Sequence, residues 1–288
     1  MELTERDLHI FLFLKESRFA TIPQIARKFW SGEHAYDLSI IRLTKLFKSG
    51  YLNKQWIDWL PEPSLYLPTK KSNSALWRER LIKRDAVTDY VRYDLRYSPS
   101  ILHDLTVTDI RLAFEKTLEI ILWITDHELR RKNYHWKYET RTPDGIFKAL
   151  YHGSRIRGIL EYERSRYDRW RYMSVLARLL REETESFIFF VTTTTKRVEN
   201  LLQIAGGRRM EYLKNRDKVF FSPLKPVLEK GANVAWVNPL GQRRTFELDK
   251  LKQSPLKSCG IKGLDNLSFM DDNESELRAD YGSHTEGY

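Results

Sequence analysis

The 288-residue sequence has very little cysteine and no long apolar run. Its single cysteine, Cys259, excludes an intrachain disulfide framework and a metal site built from several thiolates. No stretch approaches about eighteen uninterrupted apolar residues, and no charged segment followed by an apolar leader opens the chain. These absences predict a protein that is not inserted in a membrane and that works in a reducing cytoplasm.

Positive charge is in excess, with 49 Lys and Arg against 39 Asp and Glu and a formal net charge of +10. Clustered basic residues gain free energy by releasing counterions from a polyanion, so a nucleic-acid partner is expected. The end of the chain departs from this balance, because residues 263–288 carry seven acids against one arginine. We therefore predict a flexible acidic tail over residues 253–288.

Three short helical patterns fill the first fifty residues. Thr4 with Asp7 and Thr21 with Gln24 have the spacing of capping boxes, and each pair predicts a helix start. Gly50 predicts the end of the third helix. The third helix is expected to turn four apolar side chains inward, namely Leu38, Ile41, Leu46 and Phe47.

Two β-prone runs around Pro61-Glu62-Pro63 follow the third helix. Three helices and a hairpin resemble a winged helix-turn-helix domain, which we assign to residues 1–74. In such a domain the third helix enters the major groove and the hairpin reaches phosphate. The resemblance implies base-facing and phosphate-facing residues, namely Ser39, Arg42 and Lys45 on the helix and Lys70 and Lys71 in the wing. The alternative is a packing or dimerisation module with a solvated charged face.

The remainder of the chain predicts a connecting helix over residues 75–100 and a mixed α/β domain over residues 101–252. The expected order in that domain is helix, three strands, helix, strand. The first helix is predicted over residues 104–124 and the three strands over 134–140, 145–152 and 155–163. The second helix is predicted over 167–183, with Trp170 facing inward, and a strand buried on both faces over 186–195.

Three acids flank the predicted strands at 145–152 and 155–163. Asp144 precedes the first of them, and Glu161 and Glu163, two residues apart, share one face at the end of the second. Carboxylate oxygens suit Mg²⁺ or Mn²⁺, which polarise a phosphate and lower the pKa of a bound water. These residues predict a metal site for phosphodiester chemistry. The alternative is three structural acids at strand ends.

This order of elements, with Pro143-Asp144 and Glu161-Tyr162-Glu163, resembles the restriction-endonuclease-like core and its PD-(D/E)XK motif. Together with the N-terminal unit and residues 103–115, it resembles plasmid replication-relaxation proteins and MobC-class relaxases. The resemblance adds Glu139 as a metal ligand, and His103 as a phosphate contact or proton relay, with a capping role as its alternative. Position 163 departs from the motif's lysine, so we expect a cation from Arg171 or Lys148.

The resemblance implies a metal-dependent nicking endonuclease or relaxase of a plasmid or mobile element. It would act on double-stranded DNA at an origin-like site, with relaxosome or replication proteins as partners. A non-catalytic DNA-binding accessory protein or regulator with a degenerate core is the alternative, and an RNA-processing or defence nuclease is a more remote one. Tyr162 is expected to point away from the acids, so metal-assisted hydrolysis or nicking is favoured over a tyrosyl intermediate.

Overall fold

The computed structural model describes residues 1–87, 95, 98, 100–131, 142–151, 154–164, 169–182, 186–210 and 214–246. The strand predicted at 134–140, including Glu139, lies outside the described residues, and so does the tail at 253–288. None of the described helices is long and apolar enough to cross a bilayer.

The N-terminal unit combines four helices with a small antiparallel sheet. Its helices are α1 (Glu5–Ser17), α2 (Ile22–Phe29), α3 (Ala35–Lys48) and α4 (Lys70–Arg78), and its strands are β1 (Ala20–Thr21), β2 (Leu52–Trp56) and β3 (Ser64–Pro68), in the order β1-β3-β2. Both predicted capping boxes are present, at Thr4 and Thr21. Gly50, at a φ of 75°, ends α3 because the Tyr51 amide donates back to the Leu46 carbonyl. The first three helices and the hairpin were therefore predicted correctly.

Two predictions at the end of this unit are wrong. Lys70 and Lys71 lie in the first turn of α4 and not in the hairpin, because Thr69 caps that helix. The predicted connecting helix stops at Arg78. Arg80 takes a left-handed φ of 57°, and the Leu81 amide donates to the Leu76 carbonyl at 2.8 Å, which closes the helix end.

The second unit is a mixed α/β fold around one seven-stranded sheet in the order β10-β9-β8-β7-β6-β5-β4. Its strands are β4 (Glu119–Thr125), β5 (Gly145–Tyr151), β6 (Ser154–Glu163), β7 (Phe187–Thr192), β8 (Val219–Pro223), β9 (Trp236–Val237) and β10 (Arg243–Arg244). Its helices are α5 (Ile101–Glu115), α6 (Asp126–Arg131), α7 (Arg169–Glu182), α8 (Thr195–Ala205) and α9 (Leu224–Lys230). Strands β4, β5 and β6 form an antiparallel meander, while β6, β7 and β8 run parallel.

The helix predicted over 104–124 is wrong in its second half. Helix α5 ends at Glu115, where the Thr117 amide donates to the Phe114 carbonyl in a tight turn. Residues 119–125 then form β4, whose Trp123 stacks on Phe147 of β5 at 5.4 Å between ring centroids. A segment rich in isoleucine and tryptophan packs well on a pleated surface, and that packing outweighs the helical spacing in the sequence.

The sheet separates two apolar cores. On one face α5 and α9 cover a core that includes Phe147, Phe189 and Trp236. On the other face α7 and α8 cover a core that includes Ile159, Leu176 and Phe190. Because successive strand residues point to opposite faces, this two-sided cover decides where the side chains of β6 lie.

Partly buried ion pairs join the N-terminal unit to α5. The Arg111 guanidinium contacts Glu16 of α1 at 2.5 Å and Glu115 at 2.9 Å, and Lys28 of α2 also pairs with Glu115. Burial lowers the pKa of Lys28, although the negative charge of Glu115 opposes that shift. This network holds α1 and α2 against the helix that leads into the sheet.

Candidate active site

The antiparallel register of β5 and β6 places two predicted acids at the same end of the strand pair. Gly145 is opposite Leu160, so Asp144 and Glu161 occupy the next positions outward. All three predicted acids are buried, with exposed fractions of 6% for Asp144, 3% for Glu161 and 4% for Glu163. Buried carboxylates need charged or hydrogen-bonded neighbours, so their surroundings define the site.

Asp144 contacts the α5 side of the site. Its Oδ2 accepts a hydrogen bond of 2.7 Å from the Tyr162 amide and lies 3.3 Å from Nε2 of His103. The other ring nitrogen of His103 lies 3.4 Å from Asp104, which in turn pairs at 2.8 Å with Arg18, the residue that follows α1. Four side chains of alternating charge thus run from Asp144 to the N-terminal unit.

His103 is held as a cation by this arrangement. Burial alone would lower the pKa of His103, but its hydrogen bonds to Asp104 and Asp144 and their negative charges raise it to about 10. The ring also packs against Tyr162, at 5.4 Å between centroids. The capping alternative for His103 is wrong, because its ring contacts two carboxylates and α5 has no side-chain cap.

Glu161 and Glu163 lie on the α7 and α8 side of the sheet. Burial raises the pKa of Tyr172 on α7 well above its ordinary value, and the negative charges of Glu163 and Glu161 raise it further. Nη2 of Arg197 on α8 lies 3.3 Å from Oε1 of Glu163. Arg197 was missed by sequence reasoning, because only the folding of α8 brings it to β6.

Lys148 and Arg171, the two cations that the sequence predicts for the site, lie on different elements. Lys148 lies four positions beyond Asp144 on β5, about 13 Å along the strand, and is opposite Arg157. Burial lowers the pKa of Lys148, and so do the charges of Arg157 and Arg155. Arg171 is exposed near the start of α7. The acids are contacted by Arg197 at Glu163 and by His103 at Asp144.

The donor set is chemically suited to a hard cation, since it consists of carboxylate oxygens. Within the described ranges, no three His, Cys, Asp or Glu side chains are grouped as ligands of one ion. Mg²⁺ often takes only one or two protein carboxylates and completes its shell with substrate phosphate and water. Asp144 and Glu161 are adjacent in register, with the Asp144 carboxylate on the α5 side of the sheet and Glu161 on the α7 and α8 side.

The tyrosines near the acids are poorly suited to nucleophilic attack. Tyr162 packs on the α5 side against His103, as the strand alternation predicts, and burial raises its pKa. Tyr172 is 1% exposed, and its pKa is raised as described above. A phenol with a raised pKa is harder to ionise, which disfavours a phosphotyrosine route through either residue.

The helix predicted to face DNA is rotated from its expected orientation. Ser39 is fully buried and its hydroxyl donates to the Tyr36 carbonyl at 2.6 Å, so the prediction that it lies on the exposed face is wrong. Nε of Arg42 donates to buried Asp7 at 2.8 Å. Lys45 is exposed as predicted. Three of the four side chains predicted to be inward are instead exposed, namely Leu38, Ile41 and Phe47.

The inward face of α3 is set by Ser39, Leu43 and Leu46. These positions are three and four residues apart, which is the spacing of a buried helical stripe. Because serine is polar, the sequence alone did not reveal this stripe.

Comparisons with protein-family models, with curated proteins and with solved structures return no match to this chain.

Proposed function

We propose that the chain is a divalent-metal-dependent DNA endonuclease with a PD-(D/E)XK-type core and an N-terminal winged helix-turn-helix domain. The observation that carries this proposal is the position of Asp144 and Glu161 next to each other in register, at the end of the β5–β6 pair. The surrounding order of helix, three antiparallel strands with the short α6 after the first of them, helix and parallel strand supports it, since it resembles the order of that core. The finer assignment is a nickase or relaxase of a plasmid or mobile element, related to the replication-relaxation proteins.

In the proposed reaction, Asp144 and Glu161 would hold Mg²⁺ or Mn²⁺ at the end of the β5–β6 pair. The bound ion would supply charge neutralisation on the phosphate and a more acidic water. The Tyr162 amide fixes one oxygen of Asp144, and His103 neutralises that carboxylate from the α5 side. Arg197 takes the place of the motif's lysine and stabilises negative charge that develops on the phosphate.

The direct test is calorimetric titration of Mn²⁺ into the wild type and Glu161→Gln, with and without a short DNA duplex. Binding by the wild type and its loss in the variant are expected, because the amide cannot replace the anionic ligand. Glu119→Gln is the matched control, since Glu119 is an exposed acid on edge strand β4 and should leave the binding unchanged. Equal binding by wild type and Glu161→Gln, both folded by circular dichroism, would refute the proposed site.

Nicking of supercoiled plasmid DNA tests the reaction itself. The wild type should convert the supercoiled form to the open circle with Mn²⁺, and Asp144→Asn should not. Arg197→Lys should retain part of the activity that Arg197→Gln loses, because lysine keeps the positive charge. Retained nicking by Asp144→Asn would remove Asp144 from the proposed ligand set.

The second candidate is a non-catalytic DNA-binding protein in which the core serves as a scaffold. The pairing of Glu163 with Arg197 favours it, because this acid already has a protein cation. Under this function the wild type binds DNA with a salt-dependent affinity but neither binds Mn²⁺ nor nicks DNA. Asp144→Ala would then leave DNA binding unchanged in protein that remains folded.

A further inference from the structure

Trp170 is an unusual surface residue. The sequence predicts it inward, yet it is 59% exposed, the highest value among the exposed large apolar side chains of the described residues. The guanidinium carbon of Arg209 lies over its ring at 4.6 Å from the centroid. An exposed indole beside a guanidinium is a common element of surfaces that stack nucleobases.

Arginines from two segments of the chain lie beside this indole, namely Arg209 over its ring and Arg169 and Arg171 as its chain neighbours. Nη2 of Arg169 lies 4.0 Å from the point where a Cβ on Gly207 would stand, so the start of α7 meets the end of α8. Residues 164–171 and 208–218 together carry nine basic residues against three acids, a balance that favours an anionic ligand. We call the exposed group the arginine–tryptophan patch, comprising Arg164, Arg169, Trp170, Arg171, Arg208 and Arg209.

The arginine–tryptophan patch borders the acidic site. Arg164 directly follows Glu163 in the chain. Two residues beyond Trp170, the buried Tyr172 lies close enough to Glu161 and Glu163 for their charges to raise its pKa. The start of α7, which carries Trp170, therefore lies near the end of β6.

The chemistry of the patch distinguishes between ligand classes. A protein-docking surface needs contiguous apolar area, whereas Trp170 is flanked by arginines. Duplex DNA offers phosphates but keeps its base faces stacked inside the helix. An unpaired strand offers both, because its phosphates pair with arginine and its bases stack on indole.

We propose that the arginine–tryptophan patch binds a single-stranded nucleic acid, with Trp170 stacking one unpaired base next to the acidic site. Binding requires neither metal nor cleavage, so it stands independently of the proposed nuclease function. Only a further role of the patch, which is to guide the strand that is cut, rests on the proposed nuclease function. The substrate would then be a locally unpaired strand at the edge of a duplex.

Fluorescence anisotropy of labelled oligo(dT), in EDTA, tests the proposal without any cleavage. Trp170→Ala should weaken binding about tenfold, because one stacking contact is lost. Trp170→Phe should keep most of the affinity. Trp77→Ala is the matched control, since Trp77 is 43% exposed with Arg84 over its ring at 5.9 Å but lies on α4 of the N-terminal unit.

Two further arms identify the ligand. The affinity for oligo(U) should depend on Trp170 in the same way, because base stacking does not involve the sugar. The affinity for a duplex of matched length should fall less than twofold in Trp170→Ala. In a plot of the logarithm of the oligo(dT) binding constant against the logarithm of the salt concentration, Arg209→Gln should make the slope shallower by about 0.7. Unchanged oligo(dT) affinity in folded Trp170→Ala, or an equal loss for duplex or for Trp77→Ala, would overturn the proposal. Failed nicking with intact Trp170-dependent binding would count against the nuclease function alone.

Discussion

The two faces of the β5–β6 pair neutralise their buried acids in different ways. On the α5 side Asp144 is the end of a chain of alternating charges that continues through His103 and Asp104 to Arg18. On the α8 side Glu163 pairs with Arg197 from the neighbouring helix. The first arrangement spans both units of the protein, whereas the second is local to the sheet domain.

This difference predicts which acid, when replaced, causes the larger loss of stability. Removing one partner of a buried ion pair leaves an uncompensated charge, and the cost grows with the number of groups that depend on it. Asp144 contacts both the Tyr162 amide and His103, and through His103 it is linked to Asp104 and Arg18, while Glu163 pairs with Arg197. Stability should therefore respond more to position 144 than to position 163.

The largest expected effect is that of Asp144→Asn. The amide can still accept from the Tyr162 amide but no longer neutralises His103, so we expect a loss of about 3 kcal/mol in the free energy of unfolding. Urea unfolding followed by circular dichroism measures it. A loss below about 0.5 kcal/mol would show that the chain of charges does not stabilise the fold.

Asp126→Asn is the control for that measurement. Burial raises the pKa of Asp126, and the negative charges of Asp104 and Asp144 raise it further. Asp126 also pairs with Arg130, whose side chain is 64% exposed, so this ion pair contributes little to stability. Removing this charge should leave the free energy of unfolding unchanged or slightly higher, opposite in sign to Asp144→Asn.

The second prediction concerns the local pair. Glu163→Gln and Arg197→Gln should each lower the free energy of unfolding by about 1–2 kcal/mol, because each leaves a partly buried charge without its partner. The double variant should lose less than the sum of the two, with a coupling of about 1 kcal/mol. Strictly additive losses would mean that the 3.3 Å contact carries no net interaction.

Local signals in the sequence predicted much of the fold. The capping boxes at Thr4 and Thr21, the glycine at 50 and the β-prone runs of β5 and β6 depend on neighbouring residues, and each predicted its element correctly. Strand β4 was missed because Leu118 and Ile121 continue the helical spacing of α5 by chance. Pairing with β5 decides the conformation there, and pairing is not a local property.

The candidate site was predictable only in part, for the same reason. The alternation of Glu161, Tyr162 and Glu163 about the sheet follows from strand geometry. Arg197 is 34 residues from Glu163, and no local pattern announces their contact. Ser39 was assigned to the wrong face of α3 because a small polar residue in a buried stripe looks like a surface residue in sequence.

The pH dependence of stability separates His103, which is part of the chain of charges, from His127, whose pKa responds to Arg18 of the same chain. The pKa of folded His103 is raised to about 10, against about 6.5 when unfolded. Its contribution to stability is therefore complete below pH 6.5 and is lost as pH rises toward 10. With EDTA present, the difference in Tm between wild type and His103→Gln should shrink from pH 6 to pH 9.

His127 should behave in the opposite sense. Burial lowers its pKa to about 4, with the positive charges of Arg18 and Lys15 adding to the effect. The folded state then resists protonation, so its contribution is complete above pH 6.5 and is lost as pH falls toward 4. The Tm of the wild type relative to His127→Gln should therefore fall between pH 6.5 and pH 4. If the Tm difference from wild type changed with pH in the same direction for both histidine variants, the acids near His103 would not control its charge.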